Sequence, residues 1–137
     1  IAVAGVNKAL FRTKSRTRLA MEAWMAEWAE YYDNDRVVIM QIPRSLCLDY
    51  KATEADVEEL SSLAALVAGT DCGVTLRELE PGKVKISLRT GPRVNATKVC
   101  ALLGGGGHAA AAGATLSATL SEAKQAVLQA IDMVAGE

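Results

Sequence analysis

Four consecutive glycines, Gly104–Gly107, constrain this 137-residue chain more than any other feature. An ordered glycine forgoes roughly 0.5–1 kcal/mol relative to alanine, so four cost about 2–4 kcal/mol of a typical ~5–15 kcal/mol stability. Glycines let the backbone approach a ligand and turn several N–H groups toward one anion, and a helical turn in Ala109–Ala112 would add its own free N–H groups. The spacing fits neither a Walker loop nor a Rossmann fingerprint. An anion-binding loop and a merely flexible loop remain the alternatives.

His108 follows the glycines directly and is the only histidine in the chain. Such a residue is usually a structural hydrogen-bonding side chain or simply exposed, but here it could donate to a phosphate or ribose oxygen. One histidine without clustered acidic residues cannot hold a catalytic metal. We therefore expect neither metal ligands nor catalytic residues in this chain.

Residues 83–90 alternate apolar and polar side chains with a period of two, which predicts a strand with one core face and one polar face. The polar face carries Lys85, Ser87 and Arg89. Arginine binds phosphate in a bidentate manner, and its flat guanidinium can stack on a base. The alternative for Arg89 is a solvated cation at the end of a strand.

The rest of the sequence predicts helices interspersed with strands. The turn Asp33–Asp35 marks the end of the first predicted helix. The predicted strands cover residues 36–42, 72–80 and 83–90, with Pro81-Gly82 turning the chain between the last two. The predicted helices cover residues 14–31, the segment from Thr53 to Gly69, the segment from Asn95 to Leu103, and the segment that follows a capping box at Thr119 and Glu122. This order predicts a single α/β domain, with a mixed β-sheet of about four to five strands flanked by helices.

Helix 14–31 carries apolar side chains almost all round and should be packed on more than one side. Its tryptophans, Trp24 and Trp28, are one turn apart, which favours core packing over an exposed stacking platform.

The composition limits the possible partners. A formal net charge of -1 gives no whole-chain case for a long polyanion, so any nucleic-acid contact must come from a local patch. No apolar run approaches the ~20 residues that span a membrane. The three scattered cysteines, Cys47, Cys72 and Cys100, are interpreted as buried thiols of a cytoplasmic protein. The start at Ile1, without an initiator Met, suggests a piece of a longer chain.

The segment 83–113 resembles the DHHA1 domain, which follows the DHH domain in bacterial oligoribonucleases and pAp phosphatases. The resemblance rests on Ser87-Leu88-Arg89 at the end of a strand, then Asn95, then the glycine run with His108 and Ala111-Ala112-Gly113. It implies that residues 35–137 form a DHHA1 substrate-binding domain. Residues 1–34 would be the interdomain segment and first helix.

The resemblance also implies a division of labour. The DHH domain of the same polypeptide, absent from this chain, would hold manganese and activate the attacking water. This domain would bind a short single-stranded oligonucleotide or a nucleotide phosphate, and alone it would be inactive. The expected substrate-binding residues are Ser87, Arg89, Gly104, Gly105, Gly106, Gly107 and His108, with Lys85, Thr90 and Asn95 as further candidates.

Several other functions stay open at this point. Within the same superfamily the alternatives are a cyclic-dinucleotide phosphodiesterase and a RecJ-like single-strand exonuclease. Outside it they are an RNA-binding appendage, like the related domain of alanyl-tRNA synthetases, and a structural or dimerising module. A homodimer is compatible with all of them.

Overall fold

The computed structural model describes residues 15–135, which form a mixed α/β domain around one sheet. Residues 1–14, most of the predicted interdomain segment, lie outside the described part. The strands are β1 Glu30–Tyr32, β2 Val37–Ile42, β3 Cys72–Glu80, β4 Lys83–Thr90, β5 Gly106–His108 and β6 Ala111–Leu116. The helices are α1 Arg16–Glu27, α2 Arg44–Asp49, α3 Glu54–Leu60, α4 Ala96–Leu102 and α5 Leu120–Ala135, and a 3₁₀-helix covers Leu63–Leu66.

The strand order across the sheet is β1-β2-β3-β4-β6-β5. Strands β2 and β3 run parallel, while every other neighbouring pair is antiparallel. The mixed sheet was predicted, but its six strands exceed the expected four to five. The additional strands are short: β1 and β5 have three residues each.

One face of the sheet is covered along β2, β3 and β4 by α4 and α5. The apolar side chains of β4 point to this face and are buried, as the period-two pattern predicted. They pack against Val99 and Cys100 of α4 and against Ala123 and Val127 of α5. Both helices begin at the predicted caps, because Asn95 Oδ1 accepts the N–H of Lys98 and Thr119 forms a capping box with Glu122.

The opposite face is covered over β2 and β3 alone. Met21 and Met25 of α1, Leu46 of α2, and Val57 and Leu60 of α3 form a second buried cluster there. No buried side chain of β4, β5 or β6 belongs to that cluster among residues 15–135. This half of the sheet face is therefore open to solvent, and we call it the open face.

Helix α1 differs from its prediction in length and packing. It begins after Ser15, whose Oγ accepts the N–H of Arg18, and ends at Glu27 because the chain then extends into β1. Its apolar residues do not pack on more than one side, since Leu19 and Trp28 are exposed. Trp24 packs against the second cluster, and its ring centroid lies 6.0 Å from that of the exposed Trp28, with the ring planes tilted by 32°. Core packing therefore holds for Trp24 only.

The predicted helix from Thr53 to Gly69 is also shorter than expected. The capping box of Thr53 and Asp56 is present, but α3 ends at Leu60 and a 3₁₀-helix follows. Gly69, with a φ of +82°, comes after that second piece. None of the helices within 15–135 combines the length and the apolar composition that crossing a membrane requires.

Candidate functional site

The polar face of β4 forms part of the open face. In the register of the sheet, Ser87 lies opposite Gly113 of β6, and Gly113 lies opposite Gly106 of β5. In the next row, Arg89 lies opposite Ala111, and Ala111 lies opposite His108. Residues that face each other across antiparallel strands share one face of the sheet. The fold therefore brings Arg89 and Ser87 of β4 onto the same face as the glycine run, with β6 between them.

The glycine run forms an edge strand and not a loop before a helix. Gly106–His108 are β5, Ala109 and Ala110 make the turn, and the following alanines begin β6. The expected helical turn in Ala109–Ala112 was wrong, because Ala109 and Ala110 form the hairpin turn and the next two alanines pair with β4 and β5. The segment Ala109–Ala112 therefore does not supply the free N–H groups of a helix N-terminus.

Two of the glycines are required by close packing between strands. A Cβ on Gly105 would lie 2.0 Å from the carbonyl oxygen of Gly113, and one on Gly107 would lie 2.6 Å from Cα of Ala112. Gly106 differs, since a Cβ there would meet nothing within 4 Å. Gly105 and Gly107 therefore allow the strands of the hairpin to pack closely, while Gly106 leaves the open face free of side chains at its position.

The turn of the hairpin is held by its neighbours. The Ala109 carbonyl accepts the Ala96 N–H at 2.8 Å and the Thr90 hydroxyl at 3.1 Å. The Thr90 N–H donates to the Ala110 carbonyl at 3.0 Å. Thr90, a candidate ligand contact, therefore has its hydroxyl committed to positioning β5 and β6.

Thr90→Val should test this positioning role by removing the hydroxyl while retaining the shape of the side chain. We expect a loss of about 1 kcal/mol in the free energy of unfolding, because Ala109 keeps its bond from Ala96. Urea denaturation measures it. Thr97→Val, on the neighbouring helix α4, is the matched control. Equal stability of Thr90→Val and the wild type would contradict the role.

A groove of about 320 Å³ lies on the open face. Its floor is formed by the polar side chains of β4 and by the backbone of β5 and β6. One wall comes from the end of α3. The lining residues from β4 to β6 are Lys85, Ser87, Leu88, Arg89, Gly106, Gly107, Ala111, Ala112 and Gly113, and those of the wall are Glu58 and Ser61. Such a concave, partly polar surface suits a small ligand.

The other sequence candidates lie outside this groove. Thr90 and Asn95 line a neighbouring groove of about 390 Å³, on the far side of the hairpin turn. The side chain of Asn95 caps α4. Gly104 ends α4 with a φ of +82°, and His108 is exposed on β5, in the same row as Arg89. Sequence reasoning missed Glu58 and Ser61, which enter the site through the packing of α3.

The cations on the open face and on the neighbouring strand β3 differ in their partners. Arg77 makes a bidentate pair with Glu54, at 2.7 Å for both contacts, and this pair lowers the pKa of the Glu54 carboxyl. Lys85 Nζ lies 3.6 Å from Glu58 Oε1. Arg89 is exposed and has no carboxylate partner among residues 15–135. Its guanidinium is free for an anion.

The cysteines do not contribute to the groove. Cys72 and Cys100 are buried, Cys47 is half-buried, and all three are free thiols. Burial raises the pKa of each thiol, to about 12 for Cys72. Within residues 15–135, no three His, Cys, Asp or Glu side chains are close enough to hold a metal ion.

We expect Cys72 and Cys100 to resist iodoacetamide at pH 8, because the thiolate reacts and a raised pKa keeps the thiol protonated. Because burial disfavours the thiolate in the folded state, the free energy of unfolding should fall as the pH rises from the usual thiol pKa toward the folded value of about 12 for Cys72. Mass spectrometry after labelling measures the reaction, with the urea-denatured chain as the fully labelled control. Rapid labelling of the native chain at Cys72 would contradict the burial.

Comparison with known proteins identifies relatives of this chain. The family model described as the DHHA1 domain matches residues 34–137. The bifunctional oligoribonuclease and PAP phosphatase NrnA of Thermus thermophilus is 42% identical over 79 residues. That alignment covers 57% of this chain and 24% of the relative, so the chain matches about a quarter of that protein's length.

Solved structures support the fold. An exopolyphosphatase-related protein from Bacteroides fragilis superimposes with a TM-score of 0.87 at 20% identity, over 99% of this chain and 40% of that one. A pGpG-specific phosphodiesterase, PggH from Vibrio cholerae, gives a TM-score of 0.61 at 13% identity, over 88% of this chain and 40% of the other. At these identities, the likeness concerns the architecture.

Proposed function

The chain belongs to the DHHA1 domain family, and on that premise we propose that it is the substrate-binding domain of a metal-dependent phosphoesterase. The substrates proposed for the whole enzyme are short oligonucleotides, 3′-phosphoadenosine-5′-phosphate, or both. The relative from Thermus thermophilus, named for both activities, supports this choice. A cytoplasmic location is part of the proposal.

The observation that carries the proposal is the groove on the open face. It places the unpartnered Arg89 and the hydroxyl of Ser87 on a floor that is free of side chains at Gly106 and Gly113. Arginine recognises phosphate through charge-assisted hydrogen bonds. A flat, side-chain-free floor lets a sugar or base lie against the sheet. Together these features suit one nucleotide better than a long strand.

The chemical step is assigned to a DHH domain of the same polypeptide. Residues 15–135 offer no group of three metal-ligating side chains, so the proposal places the manganese in the DHH domain. The contribution of this chain is to hold and orient the substrate. Because the substrate is held in place, its scissile bond is already positioned for the attacking water, and the reaction does not depend on a bimolecular encounter.

Titration with a dinucleotide, followed by amide NMR of this chain, tests the binding role. We expect shifts in Gly106, Gly107, Ser87 and Arg89, and weaker effects at the residues of the second groove. The control ligand is the corresponding nucleosides without phosphate. If the shifts are confined to residues outside the groove, or do not occur, a structural or dimerising role replaces the proposed one.

A substrate panel on the whole protein separates the members of the superfamily. The panel runs from dinucleotides and 3′-phosphoadenosine-5′-phosphate to a cyclic dinucleotide and a long single strand. We expect turnover to decrease with strand length, because a chain with a net charge of -1 gains little affinity from counterion release on a long strand. Faster cleavage of the long strand would favour an exonuclease instead.

A further inference from the structure

Two cations of β4, Lys85 and Arg89, line the groove, and a third cation lies beside it on β3; α3 supplies carboxylates to two of these three. Arg77 lies opposite Lys85 in the register of β3 and β4, while Arg89 lies four residues farther along β4. Glu54 pairs with Arg77, and Glu58, one helical turn later on α3, pairs with Lys85. Of these three cations, Arg89 is the one without a carboxylate partner among residues 15–135. The groove is thus electrostatically polarised along β4.

We propose that Glu58 is a specificity-determining residue that limits the groove to one phosphate group, bound at Arg89. This inference rests on the proposed function, since it specifies which substrate charges the same groove accepts. Glu58 neutralises Lys85 and so removes the positive charge that this end of the groove would otherwise offer. A ligand can place a neutral sugar or base there, but a second phosphate gains no attraction.

The Lys85 end and the Arg89 end of the groove are far enough apart to interact with a ligand's phosphates independently. Four residues of extended strand span about 13 Å, which exceeds the screening length of ~8 Å at physiological ionic strength. A phosphate near Lys85 therefore interacts electrostatically with Glu58 far more strongly than with Arg89. The intervening Ser87 is neutral and offers a hydroxyl.

The ion pair of Glu58 with Lys85 contributes little to the stability of the fold. Both side chains are well exposed, at 57% for Glu58 and 41% for Lys85. Exposed pairs of this kind stabilise a protein by about 0–1 kcal/mol. Glu58 can therefore be replaced without unfolding the domain, and its effect on ligand charge can be measured directly.

The test compares adenosine 5′-monophosphate, with one phosphate, and 3′-phosphoadenosine-5′-phosphate, with two. Binding to the whole protein is measured by calorimetry in the presence of a chelator, so that no divalent cation contributes. We expect the wild type to bind both ligands within about twofold of each other, because Lys85 is neutralised. Glu58→Gln should tighten the bisphosphate about threefold or more and the monophosphate by less than about twofold.

Glu59→Gln is the matched control. Glu59 lies on the same helix and carries the same charge, but it pairs with Arg18 and does not line the groove. Its replacement should leave the ratio of the two affinities unchanged. The effect of Glu58→Gln should also shrink as the salt concentration rises, because the interaction is electrostatic. A ratio that changes equally in both variants, or that is insensitive to salt, would overturn the inference.

Arg89→Ala in the same experiment separates the two proposals. If it weakens the monophosphate while Glu58→Gln leaves the ratio unchanged, the charge-selection inference fails and the proposed function stands. If Arg89→Ala has no effect, or if the wild type binds neither ligand, the groove is not a phosphate site. The proposed function then fails as well.

Discussion

Replacing Arg89 by alanine in the whole protein should lower kcat/KM for a dinucleotide about tenfold or more. The guanidinium is exposed at the rim of the groove and has no carboxylate partner among residues 15–135, so a bound phosphate would be its main electrostatic contact. A charge-assisted hydrogen bond contributes about 1.5–3 kcal/mol, which corresponds to a tenfold effect or more. Steady-state kinetics across a range of dinucleotide concentrations measure the loss.

Arg93→Ala is the matched control for this experiment. Arg93 is another exposed arginine of the same region, but it lies 3.9 Å from Asp71 and does not line the groove. We expect near-normal kinetics from it. Arg89→Lys should recover part of the loss, since lysine keeps the charge but not the bidentate geometry. Unchanged kinetics for Arg89→Ala at all substrate concentrations would exclude Arg89 from the site.

The strand β4 shows what local pattern can predict. The alternation of residues 83–90 specified both the element and its two faces, because period two is a local property of an extended chain. The placement of Arg89 on the polar face followed directly. The same holds for the caps at Thr53, Asn95 and Thr119, where a side chain satisfies backbone groups within three residues.

The glycine hairpin shows where local pattern fails. Alanine favours helix, so the alanines after His108 suggested a helical turn. Pairing with β4 and β5 overrides that preference: the first two alanines form the hairpin turn, and β6 begins at Ala111. Glu58 could not be assigned to the site from sequence, because its position depends on how α3 packs over β2 and β3. Its sequence context, inside a capped helix, is that of an ordinary exposed acid.

Replacing Gly105 by alanine should destabilise the domain by about 3 kcal/mol or more. The new Cβ would lie 2.0 Å from the carbonyl oxygen of Gly113, an atom of the neighbouring backbone that cannot rotate away. The segment that leads into β5 must therefore move away from β6, which also forms part of the floor of the groove. Thermal unfolding should show a fall in Tm of roughly 10 °C.

Gly106→Ala separates the structural from the binding role of the same tetraglycine run. Its Cβ would meet nothing within 4 Å, and Gly106 is not among the residues with positive φ. Alanine there should leave stability unchanged or raise it by up to about 1 kcal/mol, because it restricts the unfolded chain. The methyl group would nevertheless project into the groove and weaken dinucleotide binding. Equal destabilisation by Gly105→Ala and Gly106→Ala would show that both glycines serve packing alone. The groove would then lose its proposed role in binding a nucleotide.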